Sequence, residues 1–296
     1  MRQLLAELRR FTSRRLVRVV AIATVAIGII WISGATFVGH SPTRAEMQNY
    51  QEQVKLETQQ LQNPDGSITF FRPGIEEPRD TRVNLKKHLS PTITGVSYLL
   101  VFVAVILGAS FVGAEFGAGS LTTQLLYEPR RWRVHLSKAV TVFGGTAALS
   151  LWLSSAIAVA LTIGAHLHGV TAGADGAWWV TRIGQIFREA ATVGFAGAMA
   201  YTVALMARRT TAAVIIFFAQ FPALFLIDPH KGVLRWFSRY SPMRALMYLA
   251  TAPKHDNLGQ LFETIRTMGG AIVLALIWLA ILTVISGLAF SRAEVR

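Results

Sequence analysis

The stretch LSPTITGVSYLLVFVAVILGASFVGAEFGAGS, residues 89–120, carries no charge from Leu89 to Ala114 and then meets Glu115. Crossing the hydrocarbon core of a bilayer takes about 20 apolar helical residues, and this run exceeds that length. A helix of a soluble protein keeps one polar face in water; this stretch has none. The pattern recurs from Val19 to Thr43, Ala139 to Ala174, Ala190 to Ala207, Thr210 to Ile227 and Thr267 to Ser291. The expectation is an all-α integral membrane protein of six transmembrane helices, with residues 1–296 forming a single transmembrane domain.

Composition agrees. Charged residues are 15% and apolar residues 52%, against roughly 25% charged in soluble domains. A net charge of +13 would point to nucleic acid in a soluble chain. Here the bases flank the apolar runs, which fits anchoring against anionic lipid. The bilayer is therefore the expected partner, and no nucleic acid is expected. Cysteine is absent, so disulfides and thiolate metal sites are excluded.

Residues 1–18 place Leu4, Leu8 and Phe11 on one helical face with Leu5 beside them, and Arg2, Arg9, Arg10 and Arg14 on the other. That is the pattern of an amphipathic helix lying along the membrane interface. A basic start, an apolar run and Ser33-Gly34-Ala35 also have the form of a signal peptide. Six arginines against the one acid Glu7 assign this end to the cytoplasm, and six spans return the C-terminus there. The cytoplasmic segments are then 1–18, 115–138, 207–210 and 292–296; the outer ones are 41–89, about 167–188 and 228–266.

Segment 41–89 reads as a small extracytoplasmic insertion. It has a helix-prone part bearing Met47, Tyr50, Val54 and Leu61, a turn at Asn63-Pro64-Asp65-Gly66 and a short strand at Ile68 to Phe71. Segment 228–266 carries six bases against three acids, which the positive-inside rule disfavours on the outer side. Its Trp236, Phe237, Tyr240 and Met243 fit a short helix dipping into the outer interface or a loop with lipid-facing aromatics.

Enzymatic chemistry finds no footing. A phosphate-binding loop needs Gly-x4-Gly-Lys-[Ser/Thr]; the glycines at 113, 117 and 119 lack the lysine and place Glu115 where an anion would sit. His166 and His168 are two apart, the wrong helical spacing for a shared metal. No uncharged run contains the Asp or Glu that ion-coupled carriers place inside the membrane. Arg188 and Glu189, as sequence neighbours, are expected not to face each other. Ser97, Tyr98, Tyr201 and Gln220 are polar positions inside the spans that could line a pathway, with helix packing as their default role.

Ala114-Glu115-Phe116, Gly119-Ser120-Leu121, Pro129-Arg130-Arg131 and Lys138 together resemble the segment after the second span of ABC-2-type permeases, the membrane subunits of bacterial ABC exporters. Many members carry Thr where Ser120 stands. The motif covers about thirty residues, and the rest agrees in hydropathy order. The resemblance implies a cytoplasmic coupling region at 115–138, with Glu115, Phe116, Gly119, Ser120, Arg130, Arg131 and Lys138 facing a separate ATP-binding subunit. It also implies re-entrant helices before the last span, which would account for segment 228–266. By the same resemblance, ATP and Mg bind on that partner and this chain holds no cofactor. It would pair with a second copy or a related permease in a bacterial plasma membrane, both termini cytoplasmic. A membrane anchor or assembly subunit without a transport path is the competing reading.

Overall fold

The structure, a computed structural model, describes residues 2–37, 42–60, 82–226, 240–251 and 268–292. Among these lie α1 (Arg2–Ser13), α2 (Arg15–Phe37), α3 (Arg44–Gln60), α4 (Leu85–Gly117), α5 (Ser120–Tyr127), α6 (Arg131–His168), α7 (Gly176–Ala207), α8 (Thr210–Leu226), α9 (Pro242–Thr251) and α10 (Met268–Arg292). No strand occurs among the described residues. The strand expected at Ile68 to Phe71, like Trp236 and Phe237, lies outside them.

Four of these helices, α4, α6, α7 and α10, are long and apolar enough to cross a membrane. The other two uncharged runs correspond to α2, of 23 residues, and α8, of 17. Large apolar side chains cover the outside of the bundle; on α10 alone, Ile272, Val273, Leu276, Ile277 and Leu288 are exposed. Water would make such a surface an aggregation site, whereas acyl chains cover it at no cost. This is a membrane-embedded helical protein.

The helices outrun the uncharged stretches. α7 begins at Gly176, well before Ala190, because Asp175 caps it: its carboxylate accepts from the Trp178 backbone N–H at 2.8 Å. Arg182, Arg188 and Glu189, assigned above to an outer loop or its edge, therefore belong to the helix.

α4 and α7 form the central pair, and small residues let them approach. A Cβ on Gly108 would fall 2.1 Å from the Gly197 carbonyl oxygen, so the backbones touch there. At the end of the bundle where α4 begins, the Val83–Leu85 backbone bridges Val170, with Leu85 N donating to Val170 O at 3.0 Å and Val170 N to Val83 O at 2.9 Å. One apolar core lies toward this end, around Leu100, Met199 and Leu246. A second, around Phe11, Phe111, Leu121 and Tyr201, lies toward the other.

α9 is buried from Pro242 to Ala250. Ten residues span about 15 Å of helix, half a bilayer core. Its surroundings hold both ends. Trp278 Nε1 donates to the Tyr240 carbonyl at 2.6 Å, and Arg188 Nε to the Leu249 carbonyl at 2.8 Å.

Candidate functional site

The charge that follows the opening run is resolved by burial and pairing. α4 continues past Ala114 to Gly117, and the chain then turns through Gly119, whose φ of +65° is left-handed. Only glycine adopts that conformation without strain. Gly117 has no such requirement. α5 follows, and α6 starts at Arg131 and carries Lys138 two turns in.

Glu115 and Lys138 meet at this end of the bundle, and Glu7 of α1 joins them. Lys138 Nζ lies 3.0 Å from Glu7 Oε2 and 2.9 Å from the Glu115 carboxylate. The lysine and Glu7 side chains are 1% exposed and that of Glu115 is 6%. Gln124 of α5 donates to Glu7 Oε1 at 2.6 Å. Arg14 bonds the Ser110 carbonyl at 3.1 Å and Glu115 Oε1 at 3.4 Å, and its guanidinium lies 4.4 Å from the centre of the Phe111 ring. Burial pulls the Arg14 pKa below its ordinary value, and the Glu115 and Glu7 carboxylates oppose that.

This cluster joins α1, α4, α5 and α6. Phe11 reinforces the link, packing edge-on against Phe111 at 5.6 Å and over Gly145, where a Cβ would fall 2.6 Å from its ring. α1 thus buries Glu7 and Phe11, one turn apart, while Leu5 and Leu8 stay exposed. The apolar stripe predicted at Leu4, Leu8 and Phe11 is therefore split: Phe11 enters the bundle and Leu8 does not, and the Leu4 side chain lies outside the described residues. Removing one partner of a buried pair leaves an uncompensated charge, at a cost of about 3–5 kcal/mol.

The remaining coupling residues divide. Ser120 is exposed at the start of α5, beside a cleft of about 530 Å³ that Arg10, Arg14 and Glu115 also line. Phe116 is half-buried against the core around Phe11 and Phe111. Arg130 is exposed at the N-cap of α6. Arg131 instead holds α10: it donates to the Phe290 carbonyl at 3.0 Å, and its guanidinium lies 6.0 Å from that ring. A cation on the last turn of a helix is favourable against the helix dipole. Arg133 lies 3.8 Å from Glu128 at the surface.

The four pathway candidates do not converge. Ser97 donates to Glu189, and Tyr98 is half-buried nearby on α4. Tyr201 is fully buried and stacked on His135, with ring centres 5.6 Å apart. Gln220 accepts from Ser241 at 3.2 Å, joining α8 to the start of α9.

Glu189 is a third buried carboxylate, and sequence reasoning set it aside. Its side chain is 0% exposed. It accepts from Thr94 at 3.0 Å, from Gln185 at 2.8 Å and from Ser97. Gln185 in turn is held by Ser90 at 2.9 Å. Contrary to expectation, Arg188 reaches back to within 3.8 Å of Glu189; a long guanidinium stem can do what adjacent Cβ directions forbid. Glu7 was likewise read only as charge balance. Its one signal was the spacing to Phe11, which puts both on one helical face. Comparison with family models, with characterised proteins and with solved structures finds no match for this chain.

Proposed function

We propose that the chain is the permease subunit of an ATP-driven transporter of the ABC-2 type, working as an exporter. One observation carries the reading: a buried Glu7–Lys138–Glu115 cluster ties α5 to the ends of α4 and α6 and to α1. α5 presents Leu126 and Tyr127, 80% and 86% exposed. A short helix with an apolar tip, braced by buried ion pairs, suits a surface that another protein pushes against. Motion at α5 would reach two long helices directly, because the braces leave little slack.

In this reading α2 and α8 are two further spans, making six, with both termini cytoplasmic and 41–89 outside. α1 lies in the cytoplasmic interface with Leu5 and Leu8 toward lipid. The buried α9, too short to cross, supports a re-entrant segment on the outer side. Two permease subunits, identical or related, would flank the substrate path in the plasma membrane. ATP and Mg would bind on separate ATP-binding subunits, so this chain is not itself an enzyme. A membrane anchor would share the hydropathy but would not need a buried ion cluster beneath α5.

The test is affinity purification of the full chain, expected to bring along an ATP-binding protein as a stable complex. Within that complex, Glu115→Ala should leave ATP hydrolysis running while transport fails. Full transport by Glu115→Ala would sink the coupling role. The chain has no native cysteine, so a cysteine at position 239 reports topology cleanly. Labelling from the outside is expected, and labelling only from the cytoplasm overturns six spans.

A further inference from the structure

We infer that His135 is an acid-sensitive clasp: in its neutral form it holds the last long helix, α10, to the bundle, and protonation loosens that hold. The inference does not depend on a transport role.

Three neighbouring side chains of α6 grip α10. Arg131 donates to the Phe290 carbonyl. Trp132 covers Gly287, where a Cβ would fall 2.3 Å from its ring. His135 is fully buried. Its Nε2 lies 3.1 Å from the Thr283 carbonyl oxygen and 3.2 Å from Ser286 Oγ, and its Nδ1 lies 3.2 Å from Tyr201 Oη. One imidazole therefore joins α6, α7 and α10.

The partners assign the ring's hydrogen. A carbonyl oxygen only accepts, so Nε2 carries the hydrogen that faces Thr283, and Nδ1 is left to accept from the Tyr201 hydroxyl. Both nitrogens of the neutral ring are satisfied. A second proton would go to Nδ1. Hydrogen bonding tolerates it, because Tyr201 Oη also stands 3.3 Å from the His135 carbonyl oxygen and can turn its hydrogen there. Charge does not. From α7 the ring faces the Tyr201 phenol, and from α10 it faces Thr283 and Ser286, neither of which is ionisable. The ionisable groups flanking it on α6 are the cations Arg131 and Lys138. Glu7 and Glu115 are already engaged by Lys138. An imidazolium here would be a buried charge with no carboxylate against it among the described residues, a far larger penalty than one hydrogen bond offsets.

Once α10 separates, the ring meets water or headgroups and takes up a proton in the ordinary histidine range, near about pH 6.5. The separated form then binds a proton that the docked form excludes, so acid favours separation. The clasp is closed above that range and weakens progressively below it.

The experiment is an SDS titration of the full chain in mixed micelles. Nitroxide labels on cysteines replacing the exposed Leu136 and Leu288 report the separation of α6 from α10, and the chain has no native cysteine to interfere. The sample is poised where half the molecules are separated at about pH 7.5. A drop to about pH 5.5 should then raise the ratio of separated to docked about tenfold, the response to one proton bound by the separated form alone. His135→Gln, whose amide can still donate to Thr283 and carries no charge, should not respond when poised at its own midpoint. Ser286→Asp sets a carboxylate beside Nε2 and should cancel the response, because the docked ring can then keep its proton. This arm decides the matter where His135→Gln fails to insert. An unchanged ratio with His135 and Ser286 both present overturns the proposal, as does a tenfold response that persists in either variant.

Discussion

The two buried carboxylate clusters sit at opposite ends of the bundle and are satisfied in opposite ways. At one end, Glu7 and Glu115 share Lys138, with Arg14 beside them. At the other, Glu189 is held by two hydroxyls and an amide, with Arg188 no nearer than 3.8 Å. The Lys138 cluster joins four elements, two of them short helices at the edge of the bundle. The Glu189 cluster clamps α4 to α7, and the neighbouring Arg188 holds the end of α9. Ion pairing therefore goes where surface helices must stay attached to spans. Neutral hydrogen bonds go where two spans already touch through Gly108 and Gly197.

That contrast predicts unequal costs. Lys138→Met leaves two buried carboxylates without their shared cation and should lower stability by about 3–5 kcal/mol, read as a fall in thermal unfolding temperature in nanodiscs. Adding Glu7→Gln to Lys138→Met should recover part of the loss, because one stranded charge disappears. A loss at Lys138 no larger than at the Glu189 cluster would break the distinction.

Glu189→Leu should cost about 1–3 kcal/mol, the penalty for leaving the Thr94, Ser97 and Gln185 donors unpaired. Glu189→Gln should cost less, since its carbonyl oxygen still accepts. If the two variants unfold alike, the shape of the site matters more than its hydrogen bonds. Smallest of all is Arg133→Ala, which removes a 3.8 Å surface pair and should shift stability by less than about 1 kcal/mol. The same thermal assay checks it, and a larger drop would mean that Arg133 does more than pair with Glu128.

Some of this was legible beforehand. Glu115 stands out in the sequence because charge is scarce and it follows a long uncharged run. Lys138 is marked in the sequence only by the resemblance of the segment that leads to it. Their meeting was not legible, and neither was the third member: Glu7 is more than a hundred residues away and looked like one acid diluting six arginines. Glu189 was misjudged because the start of α7 was read from the loss of charge, whereas Asp175 starts the helix earlier. Tyr201 looked like a polar position within a span; packing put it against His135 instead.

The sequence by itself determined where hydrocarbon can lie. Each charged side chain carries its own transfer cost, and the sum along a stretch needs no knowledge of neighbours. The runs from Leu89 to Ala114 and from Thr267 to Ser291 are read that way, and α4 and α10 cover them almost entirely. Only the tertiary structure decided which carboxylate meets which donor. That depends on which helices pack together and at what height, and a pair such as Glu7 and Lys138 leaves no local trace in either segment.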